Sequence, residues 1–349
     1  MRALICKQWC DFKDLSLLEV AEPELTPGSV RIAVEYAGVS FAHSLVVAGK
    51  YQVRPPRPFI PGTEISGIVE DVADDVEHVC RGDRVLAILD WGGFAETAVA
   101  PAETVYRLPP DADLAASLHL ATSYSTAYVA LAWRARLQPG ETLLVHGAGG
   151  ALGLAAVELG RVLNARVIAC ASTEEKRAAA LAHGALLALP SSGFREPVRQ
   201  ATGGRGADVV FDPVGGDVFD ESLRSIAPEG RILPVGFTSG RIPQIPANIL
   251  LVKNVSVLGV YFGAYVKDGA DNARQRSAPR VQSMMRELID WMQAGQLKPT
   301  IAGIFDLPAY ADAMASVLER RSVGKVLLRF GASRQGGART TISPRRIVI

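Results

Sequence analysis

Cysteine is scarce in this chain of 349 residues: Cys6, Cys10, Cys80 and Cys170 are the only four, and no two form a CxxC pair. That spacing excludes a zinc ribbon and a disulfide framework, so four reduced and mostly buried thiols are expected. Aromatics are few, at 7%, and nowhere interleave with basic residues as they do on single-stranded nucleic-acid surfaces. Neither sign of charge prevails: 37 basic residues against 36 acidic ones leave +1. Such a balance supplies no global field to draw in nucleic acid or an anionic membrane. Long apolar runs are missing too. The longest uncharged run, Leu114–Trp133, carries His119, Thr122, Ser123, Tyr124, Ser125, Thr126 and Tyr128, too polar for a spanning helix. Met1–Val20 has charges throughout and does not read as a cleavable leader. A soluble, cytoplasmic protein without membrane or nucleic-acid partners is expected.

What is present is ordinary for a globular enzyme: 48% apolar and 21% charged residues. The length favours two domains, each able to bury a core without a staple. The charge balance hides one asymmetry. Arg334, Arg339, Arg345 and Arg346 stand in residues 332–349 with no acid, so the +1 divides into −3 for residues 1–331 and +4 for the tail. With Gly336-Gly337 and scattered arginines, the tail is expected to be a disordered extension.

The first third is broken into short β-like runs, Val30–Val34, Ile65–Val69, Arg84–Ile88 and Ala95–Val99, separated by Thr26-Pro27-Gly28, Pro61-Gly62, Arg81-Gly82-Asp83 and Gly92-Gly93. This is all-β texture, consistent with a partly closed barrel. Leu114–Arg136 reads as helical, and strands then alternate with helices. Strands are expected at Thr142–His146, Arg166–Cys170, Leu186–Leu189, Ala207–Asp212, Arg231–Val235 and Val255–Leu258. Helices are expected at Ala151–Leu163, Thr173–His183 and Val218–Ala227, with Ser172 capping the second. Alternation of this kind builds βαβ units and a doubly wound parallel sheet, so the fold class is α/β. The helices Val281–Ala294 and Ala309–Arg320 and the strand Lys325–Arg329 are too few for a third domain and are expected to return to the first.

The most informative segment is Leu143-Leu144-Val145-His146-Gly147-Ala148-Gly149-Gly150-Ala151-Leu152-Gly153. An apolar strand runs into glycines and then into an apolar helix. Gly147, Gly150 and Gly153 keep GxxGxxG spacing, with Gly149 extra. Glycines permit the tight turn and close approach to a pyrophosphate, and the helix N-terminus offers free N–H groups. The backbone of Gly147, Gly149, Gly150, Ala151, Leu152 and Gly153 is therefore the candidate dinucleotide cradle. A site for NAD usually places an acid about 20 residues on, at the end of the second strand. Here that place reads Cys170-Ala171-Ser172-Thr173. Ser172 can donate to a 2′-phosphate and Lys176 can neutralise it, which favours NADPH over NADH. The alternative is a helix cap at Ser172 and a solvated Lys176 beside glutamates. His146 is assigned to packing.

Nine segments in order then resemble the zinc-free quinone oxidoreductase branch (zeta-crystallin relatives) of the medium-chain dehydrogenase/reductase superfamily. They are Ala37–Ala42, Gly49–Tyr51, Pro61–Gly67, Gly82–Val85, Gly92–Glu96, Tyr124–Tyr128, the glycine loop, Asp212–Gly216 and Gly324–Val326. The resemblance implies a GroES-like, partly open β-barrel catalytic domain from residues 1–119 and 260–331. It implies a six-stranded Rossmann domain from residues 120–259. It also implies a homodimer through the edge near Val255–Leu258. Ser40, Thr63 and Thr122 stand where zinc-using cousins carry Cys, His and Cys. Hydroxyls do not replace thiolate and imidazole as catalytic zinc donors, so no metal is expected.

Without a Lewis acid, alcohol oxidation is hard, whereas hydride transfer to an electrophilic acceptor needs only positioning and hydrogen-bond donors. The expected activity is NADPH-dependent reduction of a quinone or an α,β-unsaturated carbonyl compound. The resemblance assigns Ser40, Tyr51 and Thr126 to catalysis, and Val214, Gly236, Phe237 and Phe262 to the cofactor alongside the glycine loop, Ser172 and Lys176. Trp91, Tyr261 and Phe262 are candidates to line a flat acceptor slot, with ordinary packing as the alternative. Proton delivery is open among Tyr51, His43 and water, and His43 reads equally as a helix residue bonded to its neighbours. The chain departs from the family at Ser40 (usually Asn), at His43 (usually Asp) and at Pro190-Ser191 (often Tyr). An enoyl-thioester reductase is the alternative within the class, since reductase modules of polyketide synthases resemble the same branch. A cofactor-bound sensor with little turnover is the alternative outside it.

Overall fold

The computed structural model describes residues 1–268 and 270–330. The tail 332–349, read above as disordered, lies outside the described residues. Among the described residues no helix is long and apolar enough to cross a membrane.

The described chain divides into two compact units. The first comprises Met1–Thr122, Gly263–Ile289 and residues 301–330, and the second Ser123–Phe262 with Asp290–Thr300. The first is built on a seven-stranded sheet. The path runs Ile301–Asp306, Lys325–Arg329, Ser29–Val39, Glu64–Val72, Arg84–Ile88, Val105–Arg107, with Thr97–Pro101 also paired to Ser29–Val39. All pairings are antiparallel except the one between Ile301–Asp306 and Lys325–Arg329. Alternation sets the inner face: Val30, Ile32 and Val34 are buried along the central strand, and Phe12, Ile65, Phe94 and Leu328 complete that core. This is the partly open, GroES-like barrel. The helix Phe41–Val47 follows the central strand directly.

The second unit carries six parallel strands in the order Leu187–Leu189, Arg166–Cys170, Thr142–Val145, Ala207–Asp212, Ile226–Pro234, Ser256–Val257. In chain order this is 3-2-1-4-5-6, the Rossmann arrangement. Its switch point lies outside the carboxyl ends of the first and fourth strands. Thr142–Val145 is buried at every residue, as a central parallel strand covered on both faces must be. The core includes Leu144, Phe194, Val210, Phe219 and Ile232.

Several boundaries differ from the sequence reading. The cap of the helix Glu174–Ala182 is Thr173, whose side chain accepts from Lys176 N at 3.3 Å, while Ser172 is exposed. Either residue type can cap, and only the turn decides which hydroxyl faces the helix. The expected helix Leu114–Arg136 contains two wide π-type turns, Leu120–Tyr124 and Val129–Arg134. Asp290–Thr300 joins the second unit rather than the first, because Trp291 packs on Tyr128 at 6.0 Å between centroids and Lys298 N donates to the buried Glu158 at 2.9 Å. Cys6 and Cys170 are buried, but Cys80 is exposed.

Candidate functional site

The candidate dinucleotide cradle is local to the second unit. Gly147 turns the chain at φ 60° directly after the first strand, and Gly150 is the N-cap of the helix Ala151–Val162. A helix leaves its first N–H groups without intrahelical partners, so Ala151, Leu152 and Gly153 present backbone donors at its N-terminus. Gly153 allows that helix to close on the strand: a Cβ there would lie 2.7 Å from Ala148 Cα. Gly149 faces the next helix, where a Cβ would stand 2.5 Å from Lys176 Cβ. Lys176 is therefore laid along the loop by its own stem, and Ser172 precedes it in the exposed turn.

The fourth strand ends in Asp212, whose Oδ1 accepts from Val214 N at 2.8 Å and Gly215 N at 2.9 Å. Its Oδ2 is buried without a partner. Burial raises its pKa, against the lowering effect of those two N–H groups. The carboxylate shapes the turn that carries Val214. Thr238 N donates to Pro213 O at 3.1 Å and Ser239 N to Val214 O at 3.0 Å, which brings Gly236 and Phe237 beside it. Gly236 eases that approach, since a Cβ there would make a tight 3.2 Å contact with Pro213 O. Gly147, Val214, Gly236 and Phe237 thus gather at the switch point, while Phe262 is buried and Thr126 half-buried elsewhere in the unit. Backbone donors, absent side chains and an adjacent lysine fit a dinucleotide phosphate chain. His146 is buried, with its ring Nε2 2.8 Å from Ser222 Oγ, and burial pushes its pKa down to about 3.

The barrel unit holds a second constellation. Ser40 follows the last residue of the central strand and is the N-cap of the helix Phe41–Val47. His43 is buried and folds back so that Ser40 N donates to its Nδ1 at 3.2 Å, with Ser40 Oγ 3.3 Å from the same nitrogen. Its Nε2 lies 3.1 Å from Thr63 Oγ1, and Phe94 covers the ring edge-on at 5.0 Å. Desolvation, then the charges of Lys325 and Lys267, lower its pKa to about 3. His43 is therefore a neutral helix residue bonded to its neighbours. Burial thus disfavours the charged ring that proton donation from His43 would need.

Beside it lies a group that the sequence reading missed. Lys325 Nζ donates to Glu64 Oε1, Thr122 Oγ1 donates to Glu64 Oε2, and Lys325 Nζ lies 3.2 Å from Thr122 Oγ1. The side chains of Lys325 and Glu64 are only 2% and 1% exposed. Gly38 leaves room for them, since a Cβ there would lie 2.6 Å from Glu64 Cδ. One signal was available: each is a charge at the head of an apolar run, Glu64 before Ile65 and Lys325 before Val326-Leu327-Leu328, and such charges are rarely buried unpaired. Their separation of 261 positions hid the partner. Ser40, Thr63 and Thr122 are neutral hydroxyls, and Thr122 is already bonded to Glu64, so this donor set does not fit catalytic zinc. Tyr51 is half-buried in the bend after the helix.

Residues 26–110 match the family described as alcohol dehydrogenase GroES-like domain, and residues 151–290 that described as zinc-binding dehydrogenase. Quinone oxidoreductase-like protein 2 of Rattus norvegicus is 38% identical over 330 residues, covering 94% of this chain and 91% of the relative. Its homologue in Nematostella vectensis is 42% identical over 309 residues, covering 87% and 82%. The quinone oxidoreductase of Thermus thermophilus, solved also in complex with NADPH, is 32% identical with a TM-score of 0.79, covering 95% of this chain and 100% of that one.

Proposed function

The chain belongs to the quinone oxidoreductase branch of the medium-chain dehydrogenase/reductase superfamily, and from that premise we propose that it reduces a quinone or an α,β-unsaturated carbonyl compound with NADPH and without zinc. The observation that carries this reading is the pairing of a dinucleotide cradle with an all-hydroxyl set, Ser40, Thr63 and Thr122, in place of metal donors. Bound NADPH supplies the hydride. The backbone of Gly147 and Gly149–Gly153 holds the phosphates, and Ser172 and Lys176 favour the 2′-phosphate. Val214, Gly236, Phe237 and Phe262 support the rest of the cofactor. Ser40 and Thr126 orient the reacting groups through their hydroxyls, and Tyr51 or water returns the proton. The oxygen that gains charge needs hydrogen-bond donors rather than a Lewis acid.

A homodimer is part of the proposal. The strand Ser256–Val257 is an edge of the six-stranded sheet, and in the helix just before it Leu251 and Val252 are 79% and 82% exposed. Exposed apolar side chains beside an open strand edge suit pairing with a second copy.

The test is NADPH oxidation with 1,4-benzoquinone, 9,10-phenanthrenequinone, a set of enones and an enoyl-CoA thioester, before and after treatment with a chelator. Turnover with a quinone or enone that survives chelation is expected. Tight NADPH binding without oxidation by any acceptor would remove the enzyme reading, and turnover confined to the thioester would move it to an enoyl-thioester reductase.

A further inference from the structure

The three hydroxyls of the barrel unit are not equivalent. Thr122 Oγ1 gives its hydrogen to Glu64. Ser40 Oγ lies 3.3 Å from His43 Nδ1, which is an acceptor because it already receives the Ser40 backbone N–H at 3.2 Å. A neutral imidazole with an accepting Nδ1 carries its hydrogen on Nε2. That hydrogen points at Thr63 Oγ1, 3.1 Å away. Thr63 Oγ1 is thus obliged to accept from His43, and its own hydrogen has no acceptor among the described residues. Thr63 is half-buried while His43 behind it is buried, so the uncommitted hydrogen is the one that a bound molecule can meet.

We propose that Thr63, held as a donor by His43, is the group that receives the oxyanion of the acceptor, so that this site selects ligands bearing a carbonyl or phenolate oxygen. The proposal rests on the reductase reading for its chemistry. Hydride leaves the reduced nicotinamide with its electron pair and bonds to the β-carbon of an enone. The C=C pair moves to form the new Cα=C bond, and the carbonyl π pair moves onto oxygen. NADPH becomes NADP⁺, the enolate oxygen accepts the Thr63 hydrogen bond, and a proton from solvent then adds at the α-carbon. Thr63 keeps its hydrogen throughout. Lys267 adds positive charge near His43, which favours an anion there, while the charge of Lys325 is balanced by Glu64. His43 is a positioning residue: it acts through Thr63 and transfers no proton.

Two readouts test this on the full chain with bound cofactor. Turnover of an enone or 9,10-phenanthrenequinone is measured for Thr63→Val and Thr63→Ser. Binding of 4-nitrophenol is followed by its phenolate absorbance with NADP⁺ present. Removing one oxyanion donor costs on the order of 100-fold in kcat, so Thr63→Val is expected to lose about that with KM for NADPH unchanged. It should also bind 4-nitrophenolate roughly tenfold more weakly, a modest share for one neutral donor, and Thr63→Ser should restore both. His43→Gln, which can still accept from Ser40 and donate to Thr63, should stay near wild type, whereas His43→Leu should follow Thr63→Val. If Thr63→Val does not fold, Thr63→Ala takes its place. An active wild type whose kcat and phenolate affinity are untouched by Thr63→Val overturns the proposal and leaves the reductase reading standing. An inactive wild type that binds phenolate through Thr63 overturns the reductase reading and keeps the oxyanion site.

Discussion

Replacing Lys325 by methionine removes one charge from a pair that is almost wholly out of solvent. In the native chain Glu64 accepts from Lys325 and from Thr122. In the variant the carboxylate keeps the Thr122 hydroxyl alone. Breaking a buried pair in this way typically costs about 3–5 kcal/mol, because the remaining charge has neither water nor a counter-ion. For units of this size 1 kcal/mol moves the melting midpoint by about 2–4 °C, so a fall of roughly 6–20 °C is expected. The companion variant Glu64→Met strands the lysine and should cost a similar amount. The double variant puts apolar side chains of similar volume in place of both, a change that is often neutral or stabilising. It should therefore recover most of the loss, which urea unfolding of all four proteins at pH 7 would measure as a coupling energy. A Lys325→Met protein within about 1 kcal/mol of wild type would refute this reasoning. So would a double variant as unstable as the sum of the two singles.

Three further outcomes are expected. Burial lowers the pKa of both His43 and His146 to about 3, whereas in the unfolded chain each takes up a proton near 6.5. Stability is therefore complete above pH 6.5 and falls as pH drops from there toward 3, by up to about 1.4 kcal/mol per pH unit for each histidine. His146→Gln should lose less between pH 7 and pH 5 than wild type does, and equal losses in urea midpoint would contradict the assignment. Gly153→Val drives a side chain into Ala148 and Gly147 and should abolish measurable NADPH binding in calorimetry, so retained affinity would show that the cradle lies elsewhere. Lys176→Met keeps the apolar stem against Gly149 and removes the charge. Its loss of a charge-assisted phosphate contact should weaken NADPH about tenfold or more while leaving NADH nearly unchanged, and equal effects on both would remove the 2′-phosphate argument.

Much of the fold was legible because its signals are local. Glycine and proline punctuate the barrel strands, and apolar runs alternating with helical segments announce parallel βαβ units. The strands Arg84–Ile88, Arg166–Cys170, Ala207–Asp212 and Lys325–Arg329 stand at the boundaries the sequence suggested. The glycine loop was legible for the same reason, since its strand, turn and helix are contiguous. Less was visible where neighbours compete. Ser172 and Thr173 are both good caps, and the turn selects the second. The helix Ala247–Lys253 and the strand Ile301–Asp306 carry weak patterns. The helix buries no residue fully, and the strand alternates half-buried with exposed positions.

The α/β alternation, the glycine loop and the hydroxyls at Ser40, Thr63 and Thr122 were set by the sequence alone, because each is written in contiguous residues. Only the tertiary structure decided what those hydroxyls do. It brought Lys325 to Glu64 and Thr122 and turned His43 onto Thr63, leaving one of three similar side chains with a hydrogen to give. A hydroxyl can donate or accept, and which it does is set by partners that the chain reaches only after folding.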